Sequence, residues 1–277
     1  MARLSVVLVT RNEEHNIDRC LGSVAWADEI VVVDSFSTDG TVARARAHTD
    51  RVFRHEYDGY SRQVERGVGY ATGDWVLVLD ADEEVSPRLA DQIRGVVAAE
   101  SAAPDGPVGY RLRRHLRAYG FPVVHGGQAA DWPLRLFRRE RGRPQHREIH
   151  GAYAVDGAAG RLDGGLWHHS YDHVYAHVAR VNDYTSLEVT NRLARDPDAR
   201  ARWWNVLVNP AGAFLRAYLA RQGWRDGFAG FALALLTALY TQLTYLKLWE
   251  YRLRRGEAGD RRPPIRAAEV TVAKIRS

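Results

Sequence analysis

The sequence predicts an α/β protein whose first hundred residues form a Rossmann-like, mostly parallel sheet, followed by a helical C-terminal region. Three short apolar runs, at residues 4–9, 30–33 and 75–79, indicate strands. Each run is apolar on both faces, which is typical of strands buried between two helical layers. Polar stretches with helical spacing, at residues 13–25 and 41–49, lie between them. This βαβα order favours a doubly wound parallel sheet.

After a loop rich in Pro and Gly at residues 101–109, strand-like segments recur and then give way to a long helical region. The segments lie at residues 109–113, 134–138 and 153–155. We therefore expect three parts: a first domain over residues 1–171, a helical region over residues 172–255 and a flexible tail over residues 256–277.

Residues 227–246 of the helical region form an uncharged stretch whose length would just span a bilayer core. Three Thr and one Gln dilute its apolar character, and arginines and aromatic residues such as Trp224 and Trp249 flank it. Such flanks favour a membrane interface. We expect a helix that lies on the membrane surface, with packing on the protein or a true span as the alternatives.

The composition of 45% hydrophobic and 26% charged residues is that of a globular protein. The net charge of +5 suits an anionic partner, but no nucleic-acid-binding motif accompanies it. The single cysteine, Cys20, excludes a disulfide within the chain and cysteine-based metal sites. The N-terminus begins with a strand pattern and lacks the features of a signal peptide, so we expect a cytoplasmic protein.

Polar clusters follow three of the predicted strands. They are residues 10–13 (Thr-Arg-Asn-Glu), Asp34 with residues 37–41 (Ser-Thr-Asp-Gly-Thr), and residues 80–83 (Asp-Ala-Asp-Glu). Ligands of an open parallel sheet bind at the carboxyl ends of its strands. Helix capping explains some of these residues individually, but three clusters at one edge predict a binding site.

Asp80 and Asp82 predict a divalent-cation site at that edge. Neither of the two common glycine-rich phosphate-binding patterns occurs in the chain, so a bound diphosphate would need another source of positive charge. Alternate residues leaving a strand point to one side, so both carboxylates would supply oxygen ligands there. Mn²⁺ or Mg²⁺ would bridge the diphosphate oxygens.

These clusters resemble those of family 2 glycosyltransferases, particularly the branch of lipopolysaccharide-core glucosyltransferases. The resemblance continues through residues 131–139 (Asp-Trp-Pro-Leu-Arg-Leu-Phe-Arg-Arg), 168–171 (His-His-Ser-Tyr) and 218–250, and so covers nearly the whole chain. It implies a GT-A fold, a nucleotide-sugar donor and inversion at the anomeric carbon. The donor-facing residues it implies are Thr10, Arg11, Asn12, Glu13, Asp34, Arg62 and Asp80, and the metal-binding residues are Asp80 and Asp82.

One departure from the family concerns the catalytic base. Family members carry a His-Glu pair where this chain has His150 and Gly151. An inverting transfer needs a group that accepts the acceptor's proton, so Glu148 and Asp131 become the candidates, with His150 as the next. Asp131 has an alternative role as an ion-pair partner of an arginine in residues 135–138.

The histidines at 169, 173 and 177 have helical spacing. We interpret them as a polar helix face rather than a zinc site. His168 is a different case, because the resemblance implies that a late histidine can approach the metal.

The sequence thus predicts a metal-dependent, inverting glycosyltransferase. It would move a hexose from a UDP-sugar to a hydroxyl of a cell-envelope glycan or glycolipid, at the inner face of the cell membrane. The alternatives are a non-catalytic, membrane-associated sugar-binding protein and a sugar-nucleotide pyrophosphorylase. A pyrophosphorylase requires a glycine-rich, arginine-bearing loop after the first strand, and residues 10–13 do not form one.

Overall fold

The structure is a computed structural model that describes residues 2–99, 106–127, 131–145, 152–171 and 173–258. Contacts divide the chain into two units: residues 1–115 with 130–169, and residues 116–129 with 170–277. The first unit holds the parallel strands and the second holds the C-terminal helices. The domain bounds expected from the sequence, 1–171, 172–255 and 256–277, stay a prediction.

The N-terminal half of the first unit is the parallel sheet that the apolar runs predicted. Its strands lie in the order β3-β2-β1-β4, and neighbouring strands are parallel. The strands are β1 (Leu4–Thr10), β2 (Glu29–Asp34), β3 (Val52–Arg54) and β4 (Trp75–Asp80), and the helices between them are α1 (Ile17–Ser23), α2 (Thr41–Arg46) and α3 (Tyr60–Tyr70). The α/β architecture predicted from the sequence is confirmed.

The later strands extend this sheet with antiparallel neighbours. They are β5 (Glu83–Val85), β6 (Gly109–Ala118), β7 (Phe121–Val123), β8 (Leu134–Arg138) and β11 (Ala159–Tyr171), with helix α4 (Pro87–Ala99) after β5. Strand β8 lies between β4 and β6 and is antiparallel to both, and β11 is antiparallel to β5. Strands β9 (Gly142–Gln145) and β10 (Ala152–Val155) form a separate pair.

Both faces of the parallel sheet are covered, as its continuous apolar strands require. Leu8 and Leu77 pack with Cys20 on one face, whereas Val7 and Val76 pack on the other. Cys20 is buried, as the sequence predicted. Helix α3 approaches β1 closely at Gly67, where an added Cβ atom would lie 2.3 Å from the Val7 side chain.

The second unit is built mainly from three helices. They are α5 (Val174–Arg195), α6 (Trp203–Leu215) and α7 (Gly227–Ala258), with a π-helical turn at Arg216–Ala220 and a 3₁₀ turn at Gly223–Asp226 between the last two. Helix α7 packs against both α5 and α6. Near its start, Ala229 and Leu233 join a small apolar core with Leu116 and Val123. The helical C-terminal region predicted from the sequence is therefore present.

The interpretation of three histidines as one helix face is wrong. His169 lies in strand β11, which continues to Tyr171, and His173 precedes the first turn of α5. Only His177 is helical; it stacks on the Tyr171 ring with 3.5 Å between ring centroids. The spacing of four residues coincided with a strand-to-helix transition, which spacing alone does not reveal.

Candidate active site at the edge of the parallel sheet

The carboxyl ends of β1, β2 and β4 lie side by side at one edge of the sheet. In the strand register, Thr10 is opposite Asp34 and Val9 is opposite Asp80. The three polar clusters therefore lie at one edge of the sheet, and their role as a binding site stays a prediction. Because ligands of open parallel sheets bind at this edge, it is the candidate active site.

The loops after β1 and β2 are joined by hydrogen bonds. Asn12, whose φ is 54°, accepts a hydrogen bond at Oδ1 from the Thr38 amide at 2.8 Å. The backbone amide of Asn12 donates a hydrogen bond to Ser37 Oγ at 2.8 Å. The buried Asp34 carboxylate accepts hydrogen bonds from the Ser37 amide at 3.0 Å and from Arg54 Nε at 3.2 Å. Asn12 and Asp34 thus fix the shape of the two loops.

Thr10 and Arg11 present polar atoms that have no partner within the described part of the chain. Thr10 Oγ1 and Arg11 Nε are buried, and neither makes a hydrogen bond there. Buried polar groups without a partner are rare in folded proteins, so each calls for an explanation. A guanidinium group without a carboxylate partner is suited to bind an anion. Arg11 is therefore available to a phosphate or another anionic ligand.

A buried ionic network holds the end of strand β4. Asp80 Oδ1 accepts a hydrogen bond from the Tyr60 hydroxyl at 2.7 Å, and Asp80 Oδ2 accepts one from Arg135. Arg135 also donates to Glu83 Oε1 at 2.7 Å and to the Tyr60 hydroxyl at 2.9 Å. Glu83 Oε2 in turn accepts from the Asp80 amide at 3.0 Å. Both carboxylate oxygens of Asp80 are therefore engaged.

The network shifts the pKa values of its two carboxyl groups in opposite directions. Burial raises the pKa of Asp80, but the charge of Arg135 and the hydrogen bond from Tyr60 outweigh burial, so this pKa lies below its ordinary value. The pKa of Glu83 lies above its ordinary value, because burial raises it most and the charge of Asp80 adds to that effect. The two groups share Arg135 as a cation. Its loss would leave Asp80 without its ion-pair partner, whereas Glu83 would keep Arg114, whose Nη1 lies 3.2 Å from Glu83 Oε1.

The variant Arg135→Gln is expected to lower the free energy of unfolding by about 3 kcal/mol, because Asp80 loses its ion-pair partner and the buried Glu83 keeps only Arg114. Denaturation in urea measures this loss. Arg88→Gln is the matched control, since Arg88 forms an exposed ion pair with Asp163 and its loss should change stability little. Equal unfolding midpoints for the two variants would contradict the structural role of Arg135.

Asp82 and His168 approach each other beside this network. His168 lies on β11 opposite Glu83, and its Nε2 is 3.1 Å from Asp82 Oδ2. Burial lowers the pKa of His168, but the hydrogen bond and the charge of Asp82 outweigh it, so the pKa lies above its ordinary value. The next residue, His169, donates its amide to the Asp82 carbonyl at 2.8 Å and places Nε2 2.8 Å from Glu84 Oε2. Strand β11 thus holds the turn that carries Asp82.

Comparison with known proteins assigns the chain to a family. Residues 5–153 match the family model of glycosyl transferase family 2. The chain belongs to glycosyltransferase family 2. The lipopolysaccharide core biosynthesis glycosyltransferase LpsC of Rhizobium meliloti is 30% identical over 256 residues, which cover 89% of this chain and 92% of that protein. An uncharacterized glycosyltransferase of Rickettsia typhi is 27% identical over 271 residues, covering 92% of this chain and 89% of the other.

Among solved structures, glucosyl-3-phosphoglycerate synthase from Mycobacterium tuberculosis, in complex with Mn²⁺ and UDP-glucose, is 19% identical to this chain. The match covers 68% of this chain and 78% of that one, with a TM-score of 0.44. The family match identifies this protein as a glycosyltransferase, in agreement with the fold and the enzyme class predicted from the sequence.

The remaining predicted site residues of the glycosyltransferase lie in different surroundings. Asp131 accepts two hydrogen bonds from Arg114, at 2.8 and 2.6 Å, rather than pairing with an arginine of residues 135–138. Arg62 lies on α3 with an exposed side chain, and its guanidinium is 3.5 Å from Asp58. Glu13 lies in the loop before α1, and its Oε2 accepts a hydrogen bond from Asn16 Nδ2 at 2.8 Å. Glu148 and His150 lie outside the described residues.

Tyr60 and Arg135 were not assigned to this site from the sequence, whereas Glu83 belonged to the predicted cluster at residues 80–83. Asp80 is surrounded by Tyr60, Glu83 and Arg135, which come from three separate segments of the chain. Arg135 lies in the segment 131–139 that carries the family resemblance, so the resemblance could have indicated Arg135 as a candidate site residue. Tyr60 opens helix α3 with no motif around it, and only the three-dimensional structure identifies it.

The residues at this edge fit a divalent cation that is shared with a diphosphate. Within the described ranges, no group of three or more His, Cys, Asp or Glu side chains forms a complete cation site. Asp82 and His168 converge, whereas both oxygens of Asp80 are held by Tyr60 and Arg135. Mg²⁺ commonly takes one or two protein carboxylates and completes its shell with water and substrate phosphates. A partial protein site is therefore what such a cation requires.

Proposed function

We propose that this glycosyltransferase is metal-dependent and inverting. It transfers a hexose from a UDP-sugar to a hydroxyl of a cell-envelope glycan or glycolipid, at the inner face of the cell membrane. The observation that carries the proposal is the placement of Asp80 and Asp82 at the end of β4, in register with the loop that bears Arg11. Carboxylates that would hold a cation, and a guanidinium without an ion pair among the described residues, would together meet the two needs of a nucleotide diphosphate.

In this proposal the donor lies across the ends of β1, β2 and β4. Arg11 pairs with the anionic part of the donor, and Thr10 donates its buried hydroxyl to it. Asn12, Glu13 and Asp34 form the wall toward the nucleoside, where the bonded loops keep a fixed shape. Arg62 approaches the donor only after it leaves Asp58, which an exposed pair permits at little cost.

Asp82 would hold the cation, with His168 beside it. Bound there, Mn²⁺ or Mg²⁺ would neutralise the charge that develops on the departing diphosphate. Asp80, fixed by Tyr60 and Arg135, would keep the turn of residues 80–83 in place and contact the ribose or the cation shell. The acceptor hydroxyl loses its proton to a base on the opposite side of the sugar. Glu148 is our first candidate for that base, followed by Asp131 and His150.

Support for the acceptor comes from one relative. LpsC is named for lipopolysaccharide core biosynthesis, and it aligns with this chain over most of both lengths. We extend to this chain an acceptor of the same broad chemistry, a glycan or glycolipid of the cell envelope. A membrane location agrees with a helix over Gly223–Arg254, which by length and composition alone is long and apolar enough to cross a bilayer.

The test is release of nucleoside diphosphate by the purified protein, supplied with Mn²⁺ or Mg²⁺ and a panel of sugar nucleotides. We expect release from at least one UDP-sugar, abolished by a chelator and restored by added metal. A sugar-binding protein would bind without turnover, and a pyrophosphorylase would release pyrophosphate from a nucleoside triphosphate. Turnover that survives complete removal of metal would contradict the metal-dependent mechanism.

A further inference from the structure

One face of helix α6 carries large apolar side chains in contact with solvent. Trp203 is 71% exposed, Leu207 60% and Leu215 52%. These positions recur at multiples of four residues, so they form a stripe along one side of the helix. Three more large apolar side chains are exposed between α6 and the start of α7, namely Leu219, Trp224 and Phe228, of which Phe228 is 83% exposed. A soluble protein rarely leaves so long an apolar stripe in water without a partner for it.

Arginines flank this stripe, and the carboxylate between Trp224 and Phe228, Asp226, is buried against His125. Residues 199–225 contain five arginines and no Asp or Glu: Arg200, Arg202, Arg216, Arg221 and Arg225. All five are exposed, and none forms an ion pair with a residue that the structure describes. An apolar stripe between basic side chains is complementary to the surface of a bilayer that contains anionic lipids.

Helix α7 is less suited to contact lipid along its length. Its exposed large apolar residues are confined to the two ends, and residues 236–245 between them contain no exposed side chain. They are Phe228, Phe231 and Leu235 near the start, and Leu246, Trp249 and Leu253 near the end. Charged helix α5 covers this middle part. Lys247 of α7 donates to Asn182 Oδ1 at 2.9 Å, and Arg192 lies 5.2 Å from the Tyr245 ring centre. A helix packed beside so many charged groups would be costly to place in hydrocarbon.

We propose that α6, together with the turns up to Phe228, is the element that binds the membrane. It inserts its apolar stripe in the plane of the interface, and its arginines contact anionic headgroups, while α7 stays packed within the second unit. The inference rests on the membrane location included in the proposed function. It assigns the membrane contact to α6 rather than to the long apolar helix Gly223–Arg254. The partner of α6 in this proposal is an anionic bilayer.

Co-sedimentation of the full chain with vesicles tests the assignment. We expect binding to vesicles of phosphatidylcholine mixed with phosphatidylglycerol, and weaker binding to phosphatidylcholine alone. The double variant Trp203→Ser, Leu207→Ser should weaken binding to the mixed vesicles by about tenfold or more, because two large apolar side chains no longer leave water. Tyr175→Ser is the matched control, since Tyr175 is 86% exposed but lies on α5, and it should bind as the wild type does.

The arginines have a separate readout. Arg216→Gln with Arg221→Gln should weaken binding to the mixed vesicles but not to phosphatidylcholine alone. High salt should release only part of the wild type, because ions do not screen the apolar contribution. Circular dichroism and thermal unfolding would establish that each variant is folded. Nucleotide release measured without vesicles should be the same in all of them, so a failure of the proposed transferase activity is distinguished from a failure of membrane binding.

Two outcomes overturn the inference. In the first, the Trp203 and Leu207 variant binds the mixed vesicles as tightly as the wild type. In the second, sedimentation velocity without lipid shows a wild-type dimer that this variant converts to a monomer, which would make the stripe an interface between two copies of the chain.

Discussion

The variant Asp82→Asn is expected to lower the rate of glycosyl transfer by about a thousandfold or more, while the protein unfolds at nearly the wild-type temperature. Asn keeps the size of the side chain but removes the negative charge that would hold the cation. Stability should change little, because the Asp82 side chain has a single described partner, His168, outside the buried network of Arg135. Transfer assays and thermal unfolding measure the two effects.

The control for Asp82→Asn is Asp91→Asn. Asp91 lies exposed on α4 and pairs only weakly with Arg94, so its loss of charge should leave transfer unchanged. Donor affinity measured against manganese concentration adds a second readout, since the Asp82 variant should need far more metal to reach the same affinity. An Asp82→Asn enzyme that keeps about a third of wild-type turnover would remove Asp82 from the cation site.

A parallel variant, Asp80→Asn, separates the two aspartates. Asp80 accepts hydrogen bonds from Tyr60 and Arg135, so its neutralisation leaves Arg135 with less compensating charge as well as changing the site. We expect Asp80→Asn to lose both activity and stability, whereas Asp82→Asn loses activity alone. Equal losses of stability in the two variants would contradict the prediction that Asp80, but not Asp82, stabilises the fold through Arg135.

The parallel half of the fold follows from local sequence. Continuous apolar strands such as residues 4–9 admit only a position buried on both faces, and the helices between them force parallel neighbours. Parallel strands bring their carboxyl ends to one edge, so the meeting of Thr10, Asp34 and Asp80 could be predicted without knowing any side-chain position. The part of the site that could be predicted is therefore the set of residues that follow parallel strands, because strand direction alone places them at one edge.

Other features depend on contacts between distant segments. Arg135 reaches Asp80 because β8 runs antiparallel beside β4, and the antiparallel direction is not encoded in either strand alone. The apolar pattern of α6 likewise does not indicate that its large apolar side chains are exposed to solvent. An apolar stripe on a helix predicts a buried face in most proteins, and only the packing of α5 and α7 reveals that the stripe at Trp203 and Leu207 faces outward.

Removal of the catalytic base is expected to lower transfer by about a hundredfold to ten-thousandfold while donor affinity stays close to normal. Hydrolysis of the donor should persist better than transfer, because water can lose its proton to solvent. The geometry of Asp131 makes it a weak base. Burial raises the pKa of Asp131, but the two hydrogen bonds from Arg114 outweigh burial and lower it. A carboxylate already engaged in this way must leave its arginine before it accepts a proton.

The comparison of Glu148→Gln with Asp131→Asn tests this order of candidates. We expect Glu148→Gln to bind donor normally and to lose transfer, and Asp131→Asn to keep most of its transfer. Because Arg114 also contacts Glu83 at 3.2 Å, loss of Asp131 leaves that arginine with a second carboxylate, and the fold should tolerate the change. Loss of transfer in Asp131→Asn alone, with donor affinity intact, would reverse the assignment. If both variants turn over normally, neither carboxylate is the base, and His150→Gln becomes the variant that must lose transfer.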